Sequence, residues 1–184
     1  MNNLERYELL RNNILPGDMI SWKGNGIVSW AILRFSTHSH VSVVAASPTN
    51  HPDRRMVMEA WEGEVNLRAL SSRLESYSGE AYLHTLKKEL EEFRFTIDKC
   101  LWEIIGKKYD YKSLFSNLLG YVSTQADTFF CSELVGYAIT RCIPNNVLSG
   151  YLPNKEMEML LKGKALRPGD IAALPLYESP LRLI

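Results

Sequence analysis

The 184-residue chain has equal numbers of acidic and basic side chains, 21 of each, so its net charge at neutral pH is zero. This balance argues against a nucleic-acid partner, because phosphate binding needs an excess of lysine and arginine. The longest apolar stretch, 26–35, is too short to span a bilayer, and the start of the chain lacks the apolar segment of a signal peptide. Three widely spaced cysteines suit a reducing compartment better than a disulfide framework. We therefore expect a cytoplasmic protein with one domain, residues 1–184, and no transmembrane segment, while peripheral contact with a membrane stays open.

Taken in chain order, the hydrophobic periodicity predicts an α+β fold with a mostly antiparallel sheet packed against helices. Patterns typical of strands occur mainly in the first half, at 19–22, 40–45, 55–61, 64–67 and 81–86, with a last one at 170–174. Helical spacing of apolar residues occurs at 4–10, 27–35, 90–105, 131–142 and 154–161. The helix at 27–35 is apolar nearly all round, which predicts burial in the core. The alternative is that part of it borders a cleft and accepts an acyl chain.

Cys131 stands at the first turn of the helix around which we expect the site to form. The apolar stripe of this helix consists of Cys131, Leu134, Val135, Ala138, Ile139 and Cys142. Asp127 or Thr128 can accept hydrogen bonds from the N–H groups at the helix start. A thiol in this position lies at the positive end of the helix dipole, which favours the nucleophilic thiolate. The alternative is that Cys131 is simply one more core residue of the stripe.

A nucleophilic thiol needs a histidine within hydrogen-bond reach and a third group that orients this histidine. Of the four histidines, His40 is the candidate that opens a strand, where backbone pairing holds it at the edge of a cleft. Glu59 lies in an otherwise apolar strand, where a buried carboxylate needs a donor such as an imidazole from the neighbouring strand. The alternative for Glu59 is an exposed position at the edge of the sheet.

Metal binding is not indicated by the spacing of these residues. Cys131 and His40 occur without a CxxC or HExxH pattern, so we expect neither a zinc site nor any other cofactor. Cys100 and Cys142 both fall on apolar helix stripes, which predicts that they are core residues.

The order of five short motifs resembles that of the circularly permuted NlpC-type papain-like cysteine hydrolases, the YiiX-like group. The motifs are Pro16-Gly17-Asp18, Thr37-His38-Ser39-His40-Val41, Met58-Glu59-Ala60, Tyr109-Asp110 and Phe130-Cys131-Ser132-Glu133-Leu134-Val135. In the ordinary NlpC arrangement the cysteine helix precedes the histidine strand, whereas in the permuted group the histidine comes first, as it does here. The resemblance covers residues 15–141. It implies a papain-like fold in which Cys131 is the nucleophile, His40 the general base and Glu59 the residue that orients His40.

The same resemblance assigns two further residues. It implies that Tyr109 lies near the oxyanion, the alternative being a packed aromatic side chain before a turn. The related lecithin retinol acyltransferase-like proteins use a histidine as the third group, which keeps His84 as an alternative to Glu59.

The residues and the resemblance together predict a thiol hydrolase that forms a thioester acyl-enzyme. The expected substrate is an amide bond in a peptide, including cell-wall-type peptides, so that the enzyme is a peptidase or amidase. One alternative is a lipid-directed acyl hydrolase or acyltransferase on the same fold, and the other is a catalytically silent module that binds a peptide or a lipid. Neutral net charge does not separate these substrate classes.

Overall fold

A six-stranded antiparallel sheet organises the part of the chain that the computed structural model describes, residues 3–48, 54–61, 64–106, 129–161 and 166–184. The strands are β1 Met19–Lys23, β2 His40–Ala45, β3 Met56–Trp61, β4 Glu64–Ala69, β5 Glu80–His84 and β6 Leu181–Arg182. They lie in the order β4-β3-β2-β1-β5-β6, and each neighbouring pair is antiparallel. The predicted α+β class and antiparallel sheet are therefore confirmed.

The described ranges contain eight α-helices, some of them only one turn long. They are α1 Asn3–Leu10, α2 Ile27–Leu33, α3 Leu70–Glu75, α4 Arg94–Ile104, α5 Phe129–Cys142, α6 Asn145–Leu148, α7 Asn154–Leu161 and α8 Pro168–Ala172. Two 3₁₀ segments cover Arg11–Asn13 and Lys88–Phe93. Among the helices described, none has the length and apolar content needed to cross a bilayer.

Both faces of the sheet are covered, because successive strand residues point to opposite sides. Met19 and Val43 pack with α4 and α5 in the larger apolar cluster, which also contains Cys131. Ile20 and Trp22 pack with α1 and α3 in a second cluster. Helix α5, which carries Cys131, and the short helix α3 thus lie against opposite faces of the sheet.

The strand predicted at 170–174 is wrong, since this segment forms helix α8. Pro168 occupies the start of the helix, where its fixed φ suits helical backbone. Arg167 pairs with Asp170 at 2.8 Å, because helical backbone brings residues three positions apart onto the same side. In the similar sequence at 15–20, Gly17 adopts a φ of +88°, and this turn leads directly into β1.

Two predicted helices also differ from those observed. The helix expected at 90–105 begins as the 3₁₀ segment Lys88–Phe93 and becomes α-helical only in α4, while Gly106 ends it with a φ of +71°. The expected burial of the helix at 27–35 is wrong for one of its sides. Ile27 and Trp30 are exposed and Ile32 is buried, so the rest of the fold covers only one side of α2.

Asp18 ties the turn before β1 to the segment after β5. Its fully buried carboxylate accepts hydrogen bonds from the backbone N–H of Leu15 at 2.9 Å and of Leu86 at 3.0 Å. Arg94 of α4 donates to the same carboxylate at 2.8 Å and to the carbonyl of Pro16 at 2.7 Å. This ion pair fixes α4 against the sheet.

Replacing Asp18 should therefore destabilise the fold strongly. In Asp18→Asn the buried Arg94 loses its counter-charge, and we expect the free energy of unfolding to fall by about 3 kcal/mol or more. The matched control is Asp170→Asn, which removes an exposed ion pair and should change the stability by less than about 1 kcal/mol. Urea unfolding of both variants measures the difference, and equal losses would contradict the role assigned to Asp18.

Candidate active site

Cys131 is the third residue of α5 and is fully buried. The predicted apolar stripe of this helix is present, because Leu134, Val135, Ala138 and Ile139 lie in the same cluster as Cys131. The first four N–H groups of an α-helix have no acceptor within the helix, and the backbone N–H of Cys131 is one of these. The thiol therefore lies in the first turn of the helix, at the positive end of the helix dipole.

The imidazole of His40 is bonded on two sides. Its Nε2 lies 2.7 Å from Oε2 of Glu59, and the ring also forms a hydrogen bond with the side chain of Cys131. Because Glu59 occupies Nε2, Nδ1 is the ring nitrogen left for the thiol. Burial alone lowers the pKa of His40, but the charges and hydrogen bonds of Cys131 and Glu59 outweigh it and raise this pKa to about 9. At neutral pH His40 is therefore an imidazolium that faces the thiol.

Glu59 is fully buried in β3, so its charge needs partners. Its Oε2 is bonded to His40, while its Oε1 lies 3.2 Å from Nε of Arg73 and 4.0 Å from Nε of Arg68. Burial alone raises the pKa of Glu59, but the hydrogen bond with His40 and the cationic side chains hold it below the ordinary value. Glu59 is therefore an ionised carboxylate, and the alternative of an exposed edge residue does not hold.

Arg73 is a component of the site that the sequence analysis missed. It lies on α3, which was not predicted, and its side chain is mostly buried. Its guanidinium lies 5.1 Å from the ring centroid of Trp22 and 5.1 Å from that of Tyr77, within the range of cation–π contacts. Arg73 therefore reaches Glu59 from between two aromatic rings, on the face of the sheet opposite α5.

The two aromatic rings are themselves fixed to residues beside His40. Trp22 and Tyr77 make an edge-to-face contact with ring centroids 4.9 Å apart. Trp22 Nε1 donates to Oγ of Ser42 at 2.9 Å. Ser39, the residue before His40, hydrogen-bonds to Tyr77 and donates to the carbonyl of Trp22 at 3.1 Å. Hydrogen bonds thus join the two rings that pack on Arg73 to the residues on either side of His40.

His84, the alternative third group, has a different partner. Its Nε2 lies 2.8 Å from Oγ of Ser21, and its buried Nδ1 has no hydrogen-bond partner among the described residues. Burial, together with the neighbouring His38, lowers the pKa of His84 to about 4. Burial, followed by the charge of Lys23, likewise lowers the pKa of His38 to about 4. These two imidazoles are neutral at physiological pH, and the group bonded to Nε2 of His40 is Glu59.

Of the remaining candidates, two cysteines lie in the core and one tyrosine lies outside the described residues. Cys100 and Cys142 are buried core residues, as predicted, and Cys142 donates to the carbonyl of Thr96 at 3.4 Å. Burial and the adjacent Cys100 raise the pKa of the Cys142 thiol, so it is a poor nucleophile. Tyr109 lies outside the described residues, so its expected position near the oxyanion stays a prediction.

Comparison with known proteins adds a structural relative. No protein-family model matches the chain. No curated protein matches it either. The fold is similar to that of a solved structure, the metalloprotein YiiX from Escherichia coli O157:H7, with a TM-score of 0.60 and 19% sequence identity over 91% of this chain and 96% of that chain. At this identity the likeness shows a shared fold, and it confirms the predicted relation to YiiX at that level.

The role of Arg73 can be tested through the pH dependence of stability. Because the pKa of Glu59 is held low in the fold, ionised Glu59 contributes stability that is lost as pH falls through that pKa. In Arg73→Met the buried carboxylate loses a cation, so we expect a loss of about 2 kcal/mol at about pH 7. The loss should shrink as pH falls from about 7 toward about 4, because Glu59 without the cation takes up its proton at a higher pH than it does in wild type.

The measurement is urea unfolding across this pH range, with Arg182→Met as the control, because Arg182 pairs with Glu80 at the surface. Arg73→Lys, which keeps the charge without the planar stacking group, should lie between wild type and Arg73→Met. A loss that is the same at every pH would show that Arg73 acts only by packing on the two aromatic rings.

Proposed function

We propose that this chain is a cysteine hydrolase of the permuted papain-like kind, with Cys131 as nucleophile, His40 as general base and Glu59 as the residue that orients His40. The observation that supports this most directly is the imidazole of His40, which is bonded to Cys131 on one side and to Glu59 on the other. The order of these residues along the chain, and the fold shared with YiiX, agree with the permuted arrangement. Single-domain organisation and a cytoplasmic location stay predictions.

The proposed reaction begins with the thiolate of Cys131 paired with the imidazolium of His40. The sulfur attacks the carbonyl carbon of an amide, and the oxyanion accepts hydrogen bonds from N–H groups in the first turn of α5. His40 then gives its proton to the leaving amine as the C–N bond breaks, which leaves a thioester on Cys131. The neutral His40 next takes a proton from water as the water oxygen attacks the thioester. The carboxylic product leaves, and the thiolate–imidazolium pair is restored.

Glu59 supports both halves of this cycle. Its carboxylate holds Nε2 of His40, so that the other ring nitrogen faces the sulfur in each proton transfer. It also stabilises the imidazolium that must form again after hydrolysis. Because Cys131 is fully buried, neighbouring residues must move to admit a substrate.

YiiX is described as a metalloprotein, and Cys, His and Glu are ligand types for zinc. In this chain, however, Nε2 of His40 is bonded to Glu59, and the other oxygen of Glu59 is bonded to Arg73. Within the described ranges, no group of three or more His, Cys, Asp or Glu side chains is placed to hold a metal ion. The described residues therefore do not fit a metal at this site, and no step of the proposal uses one.

The pH dependence of Cys131 alkylation tests the thiolate–imidazolium pair. We expect wild-type Cys131 to react with iodoacetamide at about pH 6, far below the range of a free thiol near 8.5. His40→Ala should remove this low-pH reactivity, slowing it at least about tenfold, because no imidazolium then stabilises the thiolate. Above about pH 9, where His40 loses its proton, the two proteins should converge.

Mass spectrometry identifies the modified residue in that experiment, and the buried Cys100 and Cys142 serve as internal controls. Burial raises the pKa of Glu133 on α5 to about 7, so Glu133→Gln shows whether this carboxylate contributes to the profile. A Cys131 that titrates as an ordinary thiol in wild type would contradict the enzyme proposal. It would favour the silent binding module instead.

Labelling by activity probes tests the roles of the individual residues. Cys131→Ala should abolish the labelling of this site, and His40→Ala should slow it by about 100-fold or more. Glu59→Gln should slow it by less, because the imidazole remains. His84→Ala should leave the rate unchanged, and thermal unfolding checks that this variant is folded. If Glu59→Gln leaves the labelling rate unchanged and His84→Ala lowers it, the third group has been misassigned.

The choice of probe addresses the substrate. Faster labelling by a peptide-type electrophile supports the proposed amide substrate, and faster labelling by an acyl-type electrophile supports the lipid-directed alternative. Labelling should also be insensitive to a metal chelator, since no metal takes part in the proposed steps.

A further inference from the structure

Helix α2 has an apolar side that faces outward. Ile27 is 87% exposed and Trp30 is 57% exposed, and their i, i+3 spacing puts them on the same side of the helix. Ile32 lies on the opposite side and is buried. Phe35, just after the helix, is 70% exposed. Three large apolar side chains thus protrude within nine residues.

A cation accompanies these side chains. Arg34 lies at i+7 from Ile27 and i+4 from Trp30, and its guanidinium stacks 4.5 Å from the ring centroid of Trp30. In the part of the chain that the structure describes, no carboxylate pairs with Arg34. We call Ile27, Trp30, Arg34 and Phe35 the α2 face.

The segment that holds the α2 face is anchored to the rest of the fold. Arg167 donates to the carbonyl of Phe35 at 2.7 Å, and the N–H of Gly169 donates to Oγ of Ser36 at 2.8 Å. Gly169 lies so close to Thr37 that an added Cβ would be 2.4 Å from its Oγ1. The exposed side chains are therefore displayed by an ordered segment packed on α8.

We propose that the α2 face docks on the surface of an anionic phospholipid bilayer. Separate protruding side chains can insert between lipids, whereas a protein partner would need a matching pocket for each. Tryptophan is enriched at the membrane interface, and a guanidinium that pairs with no carboxylate of the described residues complements the lipid phosphate. A symmetric contact between two copies would place Arg34 near its own equivalent, with no carboxylate of the face to offset the charges.

Docking would also select a substrate for the proposed active site, and this consequence depends on the proposed function. His40 comes five positions after Phe35, so their Cα atoms lie within about 18 Å of each other. A bilayer that Phe35 enters would therefore lie no farther than about that distance from the His40 end of β2. Of the two substrate classes considered for that site, this placement favours an acyl lipid, the lipid-directed alternative, over a peptide amide.

The experiment is co-sedimentation with vesicles of phosphatidylcholine, with and without phosphatidylglycerol. Wild-type protein should bind the anionic vesicles, and Ile27→Ser/Trp30→Ser/Phe35→Ser should lower the partition coefficient by about tenfold or more. Arg34→Gln should lower it about fivefold on anionic vesicles and little on neutral ones. The matched control is Leu9→Ser/Phe95→Ser, which removes side chains of 73% and 79% exposure on α1 and α4 and should not change binding.

Further measurements separate the outcomes. Cys131→Ala should bind vesicles as wild type does, because docking does not use the thiol. If wild-type protein binds vesicles while its Cys131 is unreactive toward iodoacetamide at about pH 6, the proposed enzyme is overturned and the docking is not. Absent binding to anionic vesicles, or equal binding by wild type and the triple variant, overturns the docking proposal. The docking proposal is also overturned if wild type is a dimer in analytical ultracentrifugation and the triple variant is a monomer, because the α2 face then binds a second copy of the chain. If the triple variant does not fold, Trp30→Ser and Arg34→Gln decide the question in the same assay.

Discussion

The buried carboxylate of Glu59 is the constraint on which the rest of the site depends. A charge with no exposure to water is costly unless it is compensated, and here the compensation comes from His40 on one oxygen and Arg73 on the other. Cys131 on one side and the Glu59 carboxylate on the other raise the pKa of His40 to about 9, so His40 is a cation between them. The charges of Arg73, Glu59 and His40 alternate in sign along this chain, so each member stabilises the next.

This chain of charges connects the two faces of the sheet. Cys131 belongs to the apolar cluster that covers one face, and Arg73 stacks on Trp22, which belongs to the cluster on the other. His40 joins them because it is the first residue of β2, at the end of a central strand. The stability of α3 against the sheet is therefore linked to the ionisation of Glu59 and His40, the groups beside Cys131.

The sequence analysis predicted most strands because each is a β-branched or alternating run ended by turn residues. It failed at 170–174, where an Arg-Pro-Gly-Asp-Ile pattern similar to a strand entry folds as α8. Pro168 and the Arg167–Asp170 pair favour a helix there, and the close packing of Gly169 on Thr37 holds it in place. It also placed α2 in the core, since periodicity shows which residues are apolar but not how many sides of a helix are covered.

What the sequence by itself determined is the set of chemical groups and their order: a cysteine at a helix start, a histidine that opens a strand, and a glutamate isolated in an apolar one. Local patterns decide these features, so they can be read without the fold. Only the tertiary structure decided which groups meet. Antiparallel pairing across residues distant in sequence brought Glu59 to His40 and left His84 bonded to Ser21. The role of Arg73 could not be predicted from the sequence. A charged residue on a short helix acquires such a role only from the carboxylate and aromatic rings that the fold packs against it.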